Sequence, residues 1–283
     1  MSGTADLQFD GMARTCVFCG GTPLTREHVF PRWLAGVLPE QERWRGQDLA
    51  VVGKESTTAA GLPTTTREMG ERFTDSTVSR VCASCNHGWM NDLEETSRSE
   101  LTLLIKGDTT TMSIEQARSL AFWVAKTCVM AQLTHPESAA TSPSLYHLMY
   151  RDRIPPPGMR IWALATDTDE WSVRMQHVGL LYGDTSTLEF SEPCNTHSTT
   201  IGLGKVAFCI MATTARLPLP SLEDIPPLKA VRLWPDPSPF PWSRTNPLDD
   251  VSLWIVSDLL QLWVGDDDDD FLNALMEIGL RNM

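Results

Sequence analysis

The sequence predicts an α+β protein. A small module of two strands and a helix, stapled by a metal, comes first. A larger unit with a mostly antiparallel sheet follows. Three observations lead there. Two Cys-x-x-Cys pairs, Cys16/Cys19 and Cys82/Cys85, are set 62 residues apart and flank strand-like segments. A long helical periodicity follows Ser113. A run of short strand candidates then fills 159–233 without alternating helices, and further helical patterns close the chain.

In chain order, residues 1–13 read as a flexible arm and 14–106 as the metal-stapled domain. Cys16–Cys19 runs into Gly20-Gly21, a tight knuckle that lets the backbone fold around an ion. Thr25–Phe30 is a strand ended by Pro31, and Trp33, Leu34, Val37 and Leu38 give a brief helical pattern. Residues of about 40–75, above all Gly53–Thr66, lack periodicity and are expected to be a mobile insertion. Thr77–Val81 is the partner strand. Asn86 is expected to cap a helix reaching about Ile105, with Trp89 and Leu93 on one face.

Residues 107–283 form the α+β unit, whose role the sequence leaves open. Ser113-Ile-Glu-Gln116 is a capping box that opens a helix over Ile114–Leu133. A second helix runs from Ser144 to about Tyr150, before Pro155-Pro156-Pro157. Strands are expected at Met159–Ala165, Trp171–Tyr182, Thr187–Phe190, Thr199–Thr213 and Ala230–Leu233. Proline-rich connections lead to closing helices at Val251–Val264 and Phe271–Leu280.

The totals narrow the function classes. The chain has 283 residues, 42% of them hydrophobic, with no apolar run long enough to span a bilayer. Seven cysteines, four of them in paired knuckles, favour metal binding in a reducing compartment, so the cytoplasm is the expected location. The net charge of −13 argues against tight nonspecific binding to nucleic acid. The zinc-bearing first hundred residues carry only −4 of it, and Asp266–Asp270 supply a good part of the rest.

Four thiolates close a tetrahedral Zn²⁺ sphere and leave no open position, so the zinc expected on Cys16, Cys19, Cys82 and Cys85 is structural. Between the knuckles stand Glu27 and His28. A neutral imidazole can take a proton from water near neutral pH. A carboxylate on Glu27 and an amide oxygen on Asn86 suit a hard cation such as Mg²⁺ or Mn²⁺. Neighbours on a regular strand face opposite ways, so one site can use both Glu27 and His28 only where the backbone is irregular. Arg26, Arg32, Arg80 and Arg98 flank the pair and could contact phosphate. Asp92, Glu94 and Glu95 lie on the following helix, where one could orient a ligand. Cys194-x-x-His197 reads as a chance match, and Cys128 and Cys209 as core.

The order Cys-x-x-Cys, Glu-His-x-x-Pro, Cys-x-x-Cys-Asn resembles the HNH, or ββα-metal, endonucleases. It is most similar to the branch with four zinc-binding cysteines, which includes resolvases of the endonuclease VII type. The wider strings Arg-Glu-His-Val-Phe-Pro-Arg-Trp-Leu and Cys-Asn-His-Gly-Trp-Met-Asn-Asp-Leu-Glu resemble bacterial and phage proteins of that group. The likeness covers 14–95. It implies His28 as general base, with Glu27 and Asn86 as ligands of a catalytic divalent cation and the four cysteines as the structural zinc set. Asn86 is preferred to His87 on motif position. The expected partner is nucleic acid, DNA foremost, cut to a 5′-phosphate and a 3′-hydroxyl. Residues 107–283 would supply substrate choice, a regulatory sensor, or a contact for a homodimer or a partner protein. Two departures stand out: Thr77 occupies the middle-asparagine position, and Asn86 replaces the final histidine. The rival expectations are a catalytically silent zinc module that binds protein or nucleic acid, and a hydrolase of a small substrate on the same centre.

Overall fold

The computed structural model describes residues 15–38, 45–54, 64–68, 75–136, 138–183, 193–244, 246–264 and 273–277. The arm 1–13, the strand expected at Thr187–Phe190 and the run Asp266–Asp270 lie outside the described residues; of the helix expected at Phe271–Leu280, residues 273–277 are described and are helical.

The N-terminal part is a hairpin and a helix. β1 (Leu24–His28) pairs antiparallel with β4 (Thr77–Cys82). Between them in sequence lie a 3₁₀ turn at Arg32–Gly36 and the strands β2 (Arg45–Lys54) and β3 (Thr64–Glu68). β4 leads directly into a short turn of helix, α1 (Ala83–Cys85). A wide turn over Asn86–Met90, with Gly88 off the helical conformation, bends the chain into α2 (Asn91–Lys106).

β2 and β3 correct the expectation of an irregular insertion over 40–75. They pair with each other antiparallel, and β2 runs parallel to a strand of the main sheet over ten residue pairs. The Gly- and Thr-rich composition masked two strand-compatible pieces, Leu-Ala-Val-Val at 49–52 and Thr-Thr-Thr at 64–66.

The body is built on one sheet. β5 (Thr110–Met112) precedes α3 (Ile114–Gln132) and α4 (Pro143–Asp152). Then come β6 (Met159–Ala165), β7 (Val173–Gly183), β8 (Thr196–Leu203), β9 (Val206–Thr213), β10 (Val231–Trp234) and β11 (Phe240–Trp242), closed by α5 (Asp250–Val264). The order across the sheet is β10-β6-β9-β8-β7-β2-β3; every pairing is antiparallel except β2 with β7. β5 and β11 form a separate two-stranded ribbon. The single strand expected over Thr199–Thr213 is two, because Gly204-Lys205 turns β8 back on β9.

Alternation along the strands assigns the two sheet faces. Ile161 and Ala163 of β6 and Phe208 and Ile210 of β9 face the cluster that contains α3. Trp162, Leu164, Cys209 and Met211 face Leu253, Val256, Leu259 and Leu260 of α5. α3 begins at the expected capping box: Ser113 Oγ accepts from Gln116 N, and Gln116 Oε1 accepts from Ser113 N. From Leu120 to Gln132 every residue of α3 is buried, so the helix is the axis of the molecule. Its cluster also holds Cys16, Phe18, Val29 and Trp89, and therefore continues across position 106/107.

β8 is polar yet wholly buried from Thr196 to Thr200. Thr196, His197 and Thr199 find polar partners inside, whereas the Ser198 and Thr200 hydroxyls have none among the described residues. Thr199 Oγ1 lies 2.7 Å from His177 Nδ1 and 3.3 Å from His197 Nδ1, and Gln132 Nε2 lies 3.4 Å from His197 Nε2. His177 Nε2 lies 2.9 Å from Ser138 O, and Gln132 Oε1 accepts from the N–H groups of Ala140 and Thr141. The strand β7 comes close to the 138–140 segment because residue 179 has no side chain: a Cβ there would fall on Ser138 O. Gly179→Ala is therefore expected to lower stability by about 1–3 kcal/mol, read as a shift of the urea midpoint at unchanged slope.

A candidate metal centre and the charged cluster beside it

The four cysteines converge. Cys16 and Cys19 come from the loop before β1, Cys82 ends β4 and Cys85 ends α1. Their Sγ atoms all lie within 4.8 Å of one another, and Cys19 Sγ is 3.4 Å from Cys82 Sγ. A tetrahedral zinc with bonds of about 2.3 Å would set its sulfurs roughly 3.8 Å apart, so the spacing fits that ion. The four thiols are free, and the group could bind a metal such as zinc. It is the one such cluster of cysteine, histidine and acidic groups among the described residues; Cys194 and His197 are not part of one.

Local backbone explains the convergence. Gly20 takes φ +73°, Gly20 N donates to Cys16 O at 2.8 Å, and Cys16 N donates to Gly21 O at 2.9 Å. Gly21 N points at Cys19 Sγ at 3.4 Å. Burial is the main influence pushing the Cys19 and Cys85 thiols above their ordinary range. Packed thiols of this kind need a cation before they become thiolates.

Asn86 follows the last cysteine, and its role differs from the expected helix cap. The helical backbone already starts at Ala83, with extended Cys82 before it, and Asn86 itself is helical at φ −59°, ψ −57°. Its side chain reaches back instead: Nδ2 donates to Thr25 Oγ1 and to Arg26 O, both at 3.1 Å. The amide thus ties the turn after the cysteines to β1, with the carbonyl oxygen as the end that a cation could use.

Glu27 and His28 diverge in surroundings. The register of the hairpin slips just before them, Thr25 facing Val81 and Glu27 facing Val78. His28 is half-buried, and its Nε2 accepts a hydrogen bond from Arg32 Nε at 3.2 Å. A neutral ring that accepts there carries its proton on Nδ1. Burial, then the adjacent Arg32 guanidinium, hold His28 below its ordinary pKa. Glu27 is buried, with Oε1 3.5 Å from Lys126 Nζ. Lys126 Nζ in turn donates to Glu94 Oε1 at 2.7 Å. Burial pushes the Glu27 carboxyl up to about 7, with Lys126 pulling it down and Glu94 pushing it further up. His28 feels Glu94 and Lys126 as well, so all four belong to one electrostatic neighbourhood.

The other expected residues take plainer places. Arg26, Arg32, Arg80 and Arg98 are exposed. Arg98 lies over the Trp33 ring, 5.1 Å from its centroid, and 3.6 Å from Glu95. His87, Asp92 and Glu95 are exposed. Cys128 and Cys209 are core residues, as expected.

Lys126 is the residue that sequence reasoning passed over. Its signal was a lone charge inside the apolar run Leu120–Met130 of α3, where a lysine is tolerated only when paired. The pairing partners, on β1 and α2, are remote in sequence.

Comparison with known proteins adds no relative: no family model, no curated protein and no solved structure matches the chain.

Proposed function

We propose that the protein is a metal-dependent endonuclease of the HNH type, acting on nucleic acid and on DNA foremost. The observation that carries this reading is the position of His28. It ends a strand of the hairpin that the four-cysteine cluster joins to a helix, it is neutral, and exposed Arg26, Arg32 and Arg80 stand on the same hairpin or beside it. In this reading a zinc on the four cysteines is structural, and His28 accepts the proton of the attacking water on Nε2 once Arg32, which donates to that nitrogen here, turns away to phosphate. Glu27 and the Asn86 amide oxygen would hold Mg²⁺ or Mn²⁺. The ammonium of Lys126 already stands as a cation against the Glu27 carboxylate, and this fits a site for positive charge. When bound, the divalent ion supplies charge stabilisation at the phosphate.

Plasmid nicking with Mg²⁺ or Mn²⁺ tests the reading. Wild type is expected to cut, and His28→Ala to cut about 100-fold more slowly or worse. Equal rates for the two proteins would end the nuclease assignment.

One observation favours a second reading, a catalytically silent zinc module. Glu27 is buried against Lys126 rather than open to solvent, and the chain is acidic overall. That reading predicts bound zinc and no second divalent ion by calorimetry. Hydrolysis of a small substrate gains nothing from the cavity beside Ala140, Asn195 and Thr213, because His28 does not line it.

A further inference from the structure

Lys126 is the most deeply placed charge near the hairpin. Its side chain is 0% exposed, against 9% for Glu27 and 19% for Glu94. A buried ammonium without partners costs several kcal/mol, and here two carboxylates from two other elements meet it. Glu27 comes from β1 and Glu94 from α2, while Lys126 projects from α3. Both carboxyl groups are thus slightly less enclosed than the ammonium, which lies behind them. Two carboxyl groups share one ammonium.

We infer that Lys126 is a positioning residue of this centre: it holds Glu27 and Glu94 as a pair from behind, and a divalent cation that uses Glu27 must share the carboxylates with its ammonium. The inference rests on the proposed reading for the identity of the carboxylate, and on the three-way contact for everything else. Like charge a few ångströms away weakens binding of the incoming ion. Lys126 therefore sets a low intrinsic affinity for divalent cations while keeping the carboxylates in place.

The test is Mn²⁺ titration of the zinc-loaded full-length chain by calorimetry and by electron paramagnetic resonance. Lys126→Met is expected to bind Mn²⁺ about tenfold more tightly than wild type, or better, and Lys126→Arg to stay near wild type. Adding Glu27→Gln to Lys126→Met is expected to abolish the gain. Equal Mn²⁺ affinity in wild type and Lys126→Met would overturn the inference. If Lys126→Met does not fold, Glu94→Gln decides. Lys126 is then left to Glu27 alone, Mn²⁺ affinity should fall about tenfold, and an unchanged affinity overturns the inference. None of these measurements reads cleavage. A protein that binds Mn²⁺ as stated yet fails to nick DNA would refute the nuclease reading and leave Lys126 in its role.

Discussion

Cys85→Ser is expected to strip the metal from the four-cysteine cluster and to destabilise the whole chain, not only the hairpin. Cys85 is the member of the cluster that would join α1 to the knuckle loop through a metal, and it is buried. Apparent zinc binding releases roughly 10–16 kcal/mol in structural zinc peptides. Part of that is recovered by a three-ligand site or by water, so a loss on the order of 5 kcal/mol is the expectation here. The effect should spread because the knuckle packs into the main core. The Phe18 ring meets Trp89 edge-on at 5.2 Å and Tyr146 at 6.0 Å, and Trp89 stacks on Phe122 of α3 at 5.5 Å. His147 of α4 also lies 3.1 Å from Phe18 O through Nδ1. Thermal unfolding of zinc-loaded wild type, Cys85→Ser and chelator-treated wild type checks this. The last two should coincide at a lower midpoint. A Cys85→Ser protein as stable as the zinc-loaded wild type would show that the cluster bears no structural load.

The second large effect is acid sensitivity of the buried histidines. His177 is pushed down to about 4 by burial, offset in part by Ser138 O, and His197 is pushed well below its ordinary value by burial and by His177. Both rings are neutral in the folded chain and protonate near 6.5 once unfolded. Below pH 6.5 the unfolded state therefore binds more protons, and stability falls as pH falls towards about 4. At about 1.4 kcal/mol per unit, and with half of the unfolded rings already protonated at pH 6.5, His177 alone costs about 2 kcal/mol between pH 6.5 and 4.5. Glu27 opposes this: its folded carboxyl, raised to about 7, takes up a proton first, so its share of stability rises as pH falls from 7. Comparing slopes separates the two. Urea unfolding at pH 7 and pH 4.5 should show a smaller loss for His177→Asn than for wild type, and a larger loss for Glu27→Gln. Parallel pH dependence in wild type and His177→Asn would contradict the neutral buried ring.

The legible parts of the fold are those with short-range signals. The Cys-x-x-Cys spacing, the hairpin strands, the Ser113/Gln116 capping box and the ends of β6 stand in the sequence within a few residues. The parallel pairing of β2 with β7 was not legible, because its partner lies more than a hundred residues away and the local composition reads as loop. The start of β8, Thr196–Ser198, hid for another reason. Thr-His-Ser-Thr-Thr has strand propensity but no apolar alternation, and only the network from His177, His197 and Gln132 makes its burial tolerable. In the candidate site the identities of His28, Glu27, Asn86 and the cysteines were legible as a motif. The direction in which each side chain faces was not. Lys126, whose charge decides what Glu27 touches, belongs to a helix that otherwise reads as plain core.

Zinc K-edge X-ray absorption on the purified full-length chain, with metal content measured on the same sample, tests the central claim most directly. One zinc per chain with four sulfur neighbours at about 2.3 Å is the expected result. A chain without stoichiometric metal, or a zinc whose nearest shell contains nitrogen or oxygen in place of a cysteine sulfur, would contradict it.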